Sequence, residues 1–125
     1  MAKVLIVDDD ASFRRMLRQV FTCEPDFEVC GEAENGKEAV EMARALQPDV
    51  IVLDVLMPVM NGLDAARALG LMMPTLPVIL NSASVDPATE QQARAIGISQ
   101  IVPKSAGLLI QKARRILCRQ DEGAA

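Results

Sequence analysis

The chain has 125 residues, of which 50% are apolar and 24% are charged, and its formal net charge is −4. This composition is typical of one globular domain, and we expect a single domain over 1–125 with a frayed tail at 119–125. The acidic balance argues against a nucleic-acid surface, and no apolar run is long enough to span a membrane. Because histidine is absent, histidine-ligated metal sites and serine–histidine or cysteine–histidine nucleophiles are excluded.

The cysteines and the N-terminus indicate the compartment. The three cysteines are an odd number without C-x-x-C spacing, which favours free thiols in a reducing cytoplasm. The N-terminal stretch has one lysine and a short apolar run, without the longer apolar core and cleavage site of a signal peptide. We therefore expect a cytoplasmic protein.

Five short apolar runs alternate with five segments of helical periodicity. The predicted strands cover residues 3–7, 27–33, 50–53, 76–80 and 100–102. The predicted helices are one capped by Asp10 or Ser12, one at 37–46, one at 63–69, one opened by Asp86-Pro87 and one begun by Ser105 or Gly107. This alternation predicts an α/β fold with a doubly wound parallel sheet, in the flavodoxin-like order 2-1-3-4-5.

The central strand ends on a carboxylate that packing does not explain. Residues 50–53 form an unbroken β-branched and aliphatic run, which predicts a strand buried on both faces. Asp54 follows directly, before Pro58 and Asn61-Gly62 turn the chain. An unpaired buried carboxylate is costly, so Asp54 is a candidate functional residue.

A second acidic feature follows the first strand. In the 2-1-3-4-5 order, the ligand crevice lies between strands 1 and 3, so Asp8 and Asp9 are predicted to meet Asp54 there. Oxygen ligands without histidine or cysteine suit a hard cation, and Mg²⁺ is the expected one. Asp10 is more simply explained as a helix cap.

The ends of strands 4 and 5 open on the same edge and add a hydroxyl, Ser82, and an ammonium, Lys104. A carboxylate, a divalent cation, a hydroxyl and an ammonium together form a phosphoryl-binding set. Asp54 would then be the nucleophile that forms an acyl phosphate.

With these residues placed, the sequence resembles the receiver domain of two-component response regulators, of the chemotaxis-regulator type, over about 3–118. The resemblance depends on VLIVDDD, VLDVLMPVMNG, PVILNSA and VPKS in this order and spacing. It implies that Asp9 binds Mg²⁺ directly and Asp8 through water, with the backbone carbonyl of Leu56 as a further ligand. Asp54 matches the phosphoacceptor, which is also a metal ligand.

The resemblance also implies a switch and its partners. Ser82 matches the switch hydroxyl and Lys104 the phosphate-contacting lysine. The phosphoryl group comes from a histidine kinase or a histidine phosphotransfer protein, and the phosphorylated form acts on a downstream protein target. A homodimer through helix 4, strand 5 and helix 5 also fits the family, whereas direct binding of nucleic acid or membrane is not expected.

Three positions depart from the commonest pattern of that family. Ile101 replaces the usual aromatic residue of strand 5, so the aromatic rotamer switch is not expected. Ser105 stands where the family often has a cis proline after the lysine, and a cis bond to serine would cost about 3–4 kcal/mol. Asn81 is polar where the family usually has an apolar or small residue.

Two alternatives belong to other functional classes. A degenerate receiver would serve only as a docking module, but the complete set of carboxylates, hydroxyl and lysine argues against it. A haloacid-dehalogenase-type phosphatase requires a second aspartate two residues after the nucleophile, and Leu56 stands there. No output domain follows the receiver segment, so we expect partner binding or onward phosphoryl relay, or a receiver cut from a longer regulator.

Overall fold

The computed structural model describes residues 1–83, 86–98 and 100–124, the last six of them by backbone only. Its strands are β1 (Ala2–Val7), β2 (Phe27–Ala33), β3 (Val50–Asp54), β4 (Val78–Ser82) and β5 (Ile101–Pro103). Its helices are α1 (Ala11–Thr22), α2 (Gly36–Leu46), α3 (Gly62–Met72), α4 (Pro87–Ala95) and α5 (Ala106–Ala124). The side chains of 119–125 lie outside this description, so the frayed tail stays a prediction.

All strand pairs are parallel, in the order β2-β1-β3-β4-β5. The predicted flavodoxin-like architecture is therefore confirmed. It follows from the sequence because parallel strands joined by helices need right-handed crossovers, which place helices on both faces of the sheet.

The core has two layers because the central strands contain unbroken apolar runs that bury both faces. Residues 4–7 of β1 and 50–53 of β3 are fully buried. One layer contains Leu5, Ile51 and Leu80 with residues of α2, α3 and α4. The other contains Ile6, Val52 and Ile79 with residues of α1 and α5. Among the described residues, no helix combines the length and apolar character needed to cross a membrane.

Short polar side chains begin four of the helices by accepting hydrogen bonds from otherwise unpaired backbone N–H groups. Asp10 caps α1 through Ser12 N and Phe13 N. Asn35, Asn61 and Asp86 cap α2, α3 and α4 in the same way. The predicted caps Asp10 and Asp86 are confirmed, whereas Ser12 lies inside α1.

Several predicted boundaries were wrong by a few residues. Helix α3 continues through Gly70 to Met72 instead of ending at Leu69. A glycine costs a helix only about 1 kcal/mol, and the adjacent Leu69 anchors this turn in the core. Strand β4 begins and ends two residues later than predicted because Asn81 and Ser82 pair with the neighbouring strands.

The loop between β3 and α3 contains a strained turn. The backbone N–H of Met60 donates to Pro58 O at 2.7 Å, and Val59 between them has φ +68°. This is the pattern of a γ-turn, which is unfavourable for a β-branched residue. The turn brings Met60 O to 3.0 Å from Gly36 N at the start of α2, so the loop is fastened to a neighbouring helix.

Replacing Val59 tests the strain. Val59 is 79% exposed, so its substitution removes little packing. Asn tolerates positive φ, and we expect Val59→Asn to raise the free energy of unfolding by about 1 kcal/mol. Urea denaturation measures it. The matched control, Val59→Ala, keeps an ordinary Cβ and should gain less than half as much; equal gains in both variants would contradict the role assigned to backbone strain.

Candidate functional site

The acidic residues predicted from the sequence lie together at the carboxyl edge of the sheet. Val7 of β1 and Leu53 of β3 are register partners, so Asp8 and Asp54 follow at the same level on adjacent strands. One carboxylate oxygen from each of Asp8, Asp9 and Asp54 lies within 4.8 Å of the other two. Asp8 and Asp54 are buried and Asp9 is exposed. The fold therefore forms a three-carboxylate cluster that is open to solvent on the Asp9 side.

The position of Asp8 is fixed by hydrogen bonds from three directions. Its backbone N–H donates to Ala33 O at 3.1 Å, and its Oδ1 accepts from Asp10 N at 2.9 Å. The Arg14 guanidinium donates from Nη1 to Asp8 O at 2.7 Å. Asp8 therefore has little freedom, and Asp10, which also caps α1, supports the site without joining the cluster.

Lys104 supplies the positive charge of the site. Its Nζ lies 2.9 Å from Asp8 Oδ2 and 3.5 Å from Asp54 Oδ2. The same ammonium lies 4.9 Å from the centroid of the Phe13 ring, within range of a cation–π contact. The Lys104 backbone N–H donates to Ser82 O at 3.1 Å. The lysine is thus held by its backbone at β4 and by its side chain between two carboxylates.

The pKa values reflect this crowding. Burial raises the pKa of Asp54 to about 7, the charge of Asp8 acts in the same direction, and Lys104 opposes both. Burial lowers the pKa of Lys104, but its contact with Asp8 and the charge of Asp54 outweigh that effect and raise it. Two carboxylates at this distance repel each other in a medium of low polarity, so one added cation would relieve the repulsion.

The donor set fits a hard divalent cation. Asp8 Oδ2 is buried, and its contact among the described residues is the ion pair with the Lys104 ammonium at 2.9 Å. Carboxylate oxygens without a soft ligand suit Mg²⁺, which retains several of its waters. The exposed Asp9 leaves room for those waters. The residues present therefore match the cation that the sequence predicts.

The other residues predicted from the sequence differ in how far they are buried. Ser82 is the last residue of β4 and is 5% exposed. Leu56 follows Asp54 by two residues, and its side chain is 75% exposed. Ile101 is half-buried against the core layer of α2, α3 and α4. No cis peptide bond occurs among the described residues, in agreement with the prediction for Ser105.

Gly62 is required by close backbone contact with Asp54. A Cβ added at Gly62 would lie only 2.0 Å from Asp54 O, and Gly62 N donates to Val55 O at 2.8 Å. The sequence predicts Asn61-Gly62 only as a turn, and in the structure Gly62 also fixes the backbone that carries Asp54.

Two residues near the site had no role predicted from the sequence. Phe13 lies in the first turn of α1, and its ring contacts the Lys104 ammonium. Its position in the first turn after the Asp10 cap could have indicated this, because that turn faces the strand ends. Asn81 is fully buried beside Asp54, and its polarity was the available signal.

Known proteins resemble this chain in sequence and in fold. The family model of the response regulator receiver domain matches residues 4–113. A protein-glutamate methylesterase/protein-glutamine glutaminase of Pyrococcus horikoshii is 44% identical over 104 residues, which are 82% of this chain and 28% of that protein. A second methylesterase/glutaminase, from Photobacterium profundum, is 45% identical over 93 residues, 74% of this chain and 22% of its own length. The chain thus spans under a third of these relatives.

Solved structures share the whole fold. The response regulator domain of Thermotoga maritima CheB is 31% identical with a TM-score of 0.84, covering 92% of this chain and 95% of that one. A chain of the CheX-CheY-BeF3-Mg²⁺ complex from Borrelia burgdorferi is 26% identical with a TM-score of 0.86, covering 93% and 89%.

Removing the Asp54 charge tests the electrostatic crowding. A carboxyl whose pKa is raised in the folded state loses stabilising free energy as pH rises from its unfolded value, about 4, towards 7. In EDTA, we expect Asp54→Asn to be more stable than wild type by about 2 kcal/mol at pH 8, with the difference vanishing near pH 4.5. Urea denaturation at several pH values measures it.

The control is Asp64→Asn, at an exposed position in the first turn of α3. Its difference from wild type should show no comparable growth between pH 4.5 and 8. A pH-independent difference for Asp54→Asn would contradict the raised pKa.

Proposed function

The chain belongs to the response regulator receiver domain family, and on this premise we propose that it is a phosphoacceptor switch whose Asp54 takes up a phosphoryl group in two-component signalling. The observation that carries the proposal is the position of Asp54. It is buried at the end of β3, within 4.8 Å of the Asp8 and Asp9 carboxylates and 3.5 Å from the Lys104 ammonium. A nucleophile beside a cation site and a fixed positive charge is the arrangement that phosphoryl transfer needs.

The proposed phosphoryl transfer to Asp54 is a substitution at phosphorus and involves no redox step. An Asp54 carboxylate oxygen attacks the phosphorus of a phosphohistidine, the O–P bond forms, and the P–N bond breaks. The electron pair of that bond stays on the histidine nitrogen, which takes up a proton. Lys104 contacts the Asp54 carboxylate before transfer and offsets charge on the phosphoryl oxygens during it, and Ser82 donates to one of those oxygens.

Mg²⁺ is the proposed cofactor. Asp8, Asp9, Asp54 and the backbone carbonyl of Leu56 would hold it. When bound, it supplies positive charge to the oxygens of the transferred group. The carboxylate cluster supports this, and so does the Borrelia burgdorferi complex, in which a structurally similar chain occurs together with beryllofluoride and magnesium.

The proposed partners are a histidine kinase or histidine phosphotransfer protein as donor and a downstream protein as target, in the cytoplasm. A surface of α4, β5 and α5 would carry the switch and any homodimer. We propose that the chain itself performs only the phosphorylation and dephosphorylation of Asp54. Leu56, two residues after the nucleophile, lacks the carboxylate that an aspartate-nucleophile phosphatase requires.

Labelling with a small phosphodonor tests the acceptor. With acetyl phosphate and Mg²⁺, we expect wild type to gain one phosphoryl group by intact-mass analysis and Asp54→Asn to gain none, because an amide oxygen is a poor nucleophile. Asp64→Asn keeps the site intact and should label like wild type, and EDTA should suppress labelling. Equal labelling of wild type and Asp54→Asn would refute the acceptor assignment.

The switch is tested at Ser82. A modification shifts a conformational equilibrium only through its different interactions with the two states, and Ser82 and Lys104 are the side chains proposed to sense the phosphoryl group. We expect Ser82→Ala to keep Asp54 labelling but to reduce the amide shift changes that beryllofluoride causes over 86–117. Because Ile101 is aliphatic, we expect loop and helix displacement with little change in its rotamer. Full wild-type shifts in Ser82→Ala would disprove this coupling.

A further inference from the structure

The Asn81 side chain is a buried amide next to the proposed phosphoacceptor. It lies in β4 as the register partner of Asp54 on β3 and of Val102 on β5. Its exposed fraction is zero. Neither Nδ2 nor Oδ1 has a hydrogen-bond partner within the described part of the chain. Its backbone, in contrast, is paired, since Val55 N donates to Asn81 O at 3.1 Å.

This placement is unfavourable in the structure as it stands. Register partners on parallel strands point to the same face, and neighbouring strands are about 4.8 Å apart. The same face of β3, β4 and β5 is apolar at Val52, Ile79 and Val102. A valine at position 81 would continue that surface, whereas a buried amide without a partner carries its full desolvation cost. A hydrogen-bond acceptor that is present only in another state of the site would explain why an asparagine is found at this position.

The acyl phosphate on Asp54 is such a partner. In the resting site, Asp54 Oδ2 faces the Lys104 ammonium at 3.5 Å. The added phosphoryl group has three acceptor oxygens and more negative charge than the carboxylate. It therefore competes with the Asp8 carboxylate for the Lys104 ammonium. The phosphoryl oxygens that Lys104 does not contact can accept a hydrogen bond from another donor. Asn81 Nδ2 is a neutral donor in the same row of side chains as Asp54.

We propose that Asn81 is a phosphoryl-binding residue, whose Nδ2 donates a hydrogen bond to an oxygen of the acyl phosphate on Asp54. This inference rests on the proposed function. It implies that Asn81 destabilises the resting form, in which its side-chain amide has no hydrogen-bond partner among the residues that the structure describes, and stabilises the phosphorylated form. Asn81 therefore shifts the equilibrium towards the phosphorylated form in two ways. Its desolvation raises the free energy of the resting form, and its hydrogen bond lowers the free energy of the phosphorylated form.

Two substitutions of similar shape test the proposal. The variants Asn81→Val and Asn81→Thr introduce β-branched side chains of nearly equal shape, in which threonine has a hydroxyl where valine has a methyl group. We expect Asn81→Val to raise the thermal midpoint of the resting protein in EDTA, and to weaken binding of beryllofluoride with Mg²⁺ about fivefold, as expected for the loss of one hydrogen bond. Asn81→Thr should recover part of that affinity. Ile79→Val, on the same strand and face, should lower stability and leave the affinity unchanged.

A spectroscopic measurement on wild type does not depend on how the variants fold. Beryllofluoride with Mg²⁺ should shift the Asn81 side-chain NH₂ resonances downfield and slow their exchange with solvent, because a new hydrogen bond forms. A stability gain in Asn81→Val with wild-type affinity and unchanged NH₂ resonances would overturn the proposal. A loss of resting stability in Asn81→Val would also overturn it, since the amide would then have a partner already.

The labelling result distinguishes a failure of the proposed function from a failure of the role of Asn81 alone. If wild type takes no phosphoryl group on Asp54 and binds no beryllofluoride, the proposed function fails, and the role of Asn81 fails with it. If wild type labels and binds normally while Asn81→Val binds equally well, only the role of Asn81 is overturned.

Discussion

The repulsion between two buried carboxylates is the interaction on which the rest of this structure depends. Asp8 and Asp54 end adjacent strands at the same level, and their separation is set by the fixed spacing of a parallel sheet. The chain offsets the repulsion with one lysine, whose Nζ lies 2.9 Å from Asp8 and 3.5 Å from Asp54. The lysine offsets only part of the repulsion, and burial together with the charge of Asp8 raises the pKa of Asp54 to about 7.

The fold and the acidic cluster could be predicted because both follow from backbone geometry. Apolar runs alternating with amphipathic segments allow few parallel topologies, and residues that follow the first and third strands must then meet at one edge. The contact between Phe13 and Lys104 was missed, because the sequence places Phe13 in the turn that faces the strand ends but does not show how far the two side chains extend. The later end of β4 was also missed, because pairing of Asn81 and Ser82 with neighbouring strands overrides their polar character.

The three departures from the commonest family pattern differ in how well the surrounding structure suits the side chain. Ile101 packs against the core layer of α2, α3 and α4, where an aliphatic side chain is well suited. Ser105 follows Lys104 in an ordinary trans chain, and its Oγ accepts from Leu108 N at 3.4 Å near the start of α5. Asn81 alone enters the interior without hydrogen bonds for its side chain among the described residues. The first two departures are therefore structurally neutral, and the third concerns the chemistry of the site.

The contact between Gly62 and Asp54 has a mechanical consequence. With a hypothetical Cβ only 2.0 Å from Asp54 O, no slack separates the end of β3 from the first turn of α3, and the hydrogen bond from Gly62 N to Val55 O closes the joint. The two elements therefore behave as one stiff body at this point. A rotation of the main chain at Asp54 would therefore be transmitted to the first turn of α3, and its displacement would grow along the 11 residues of that helix.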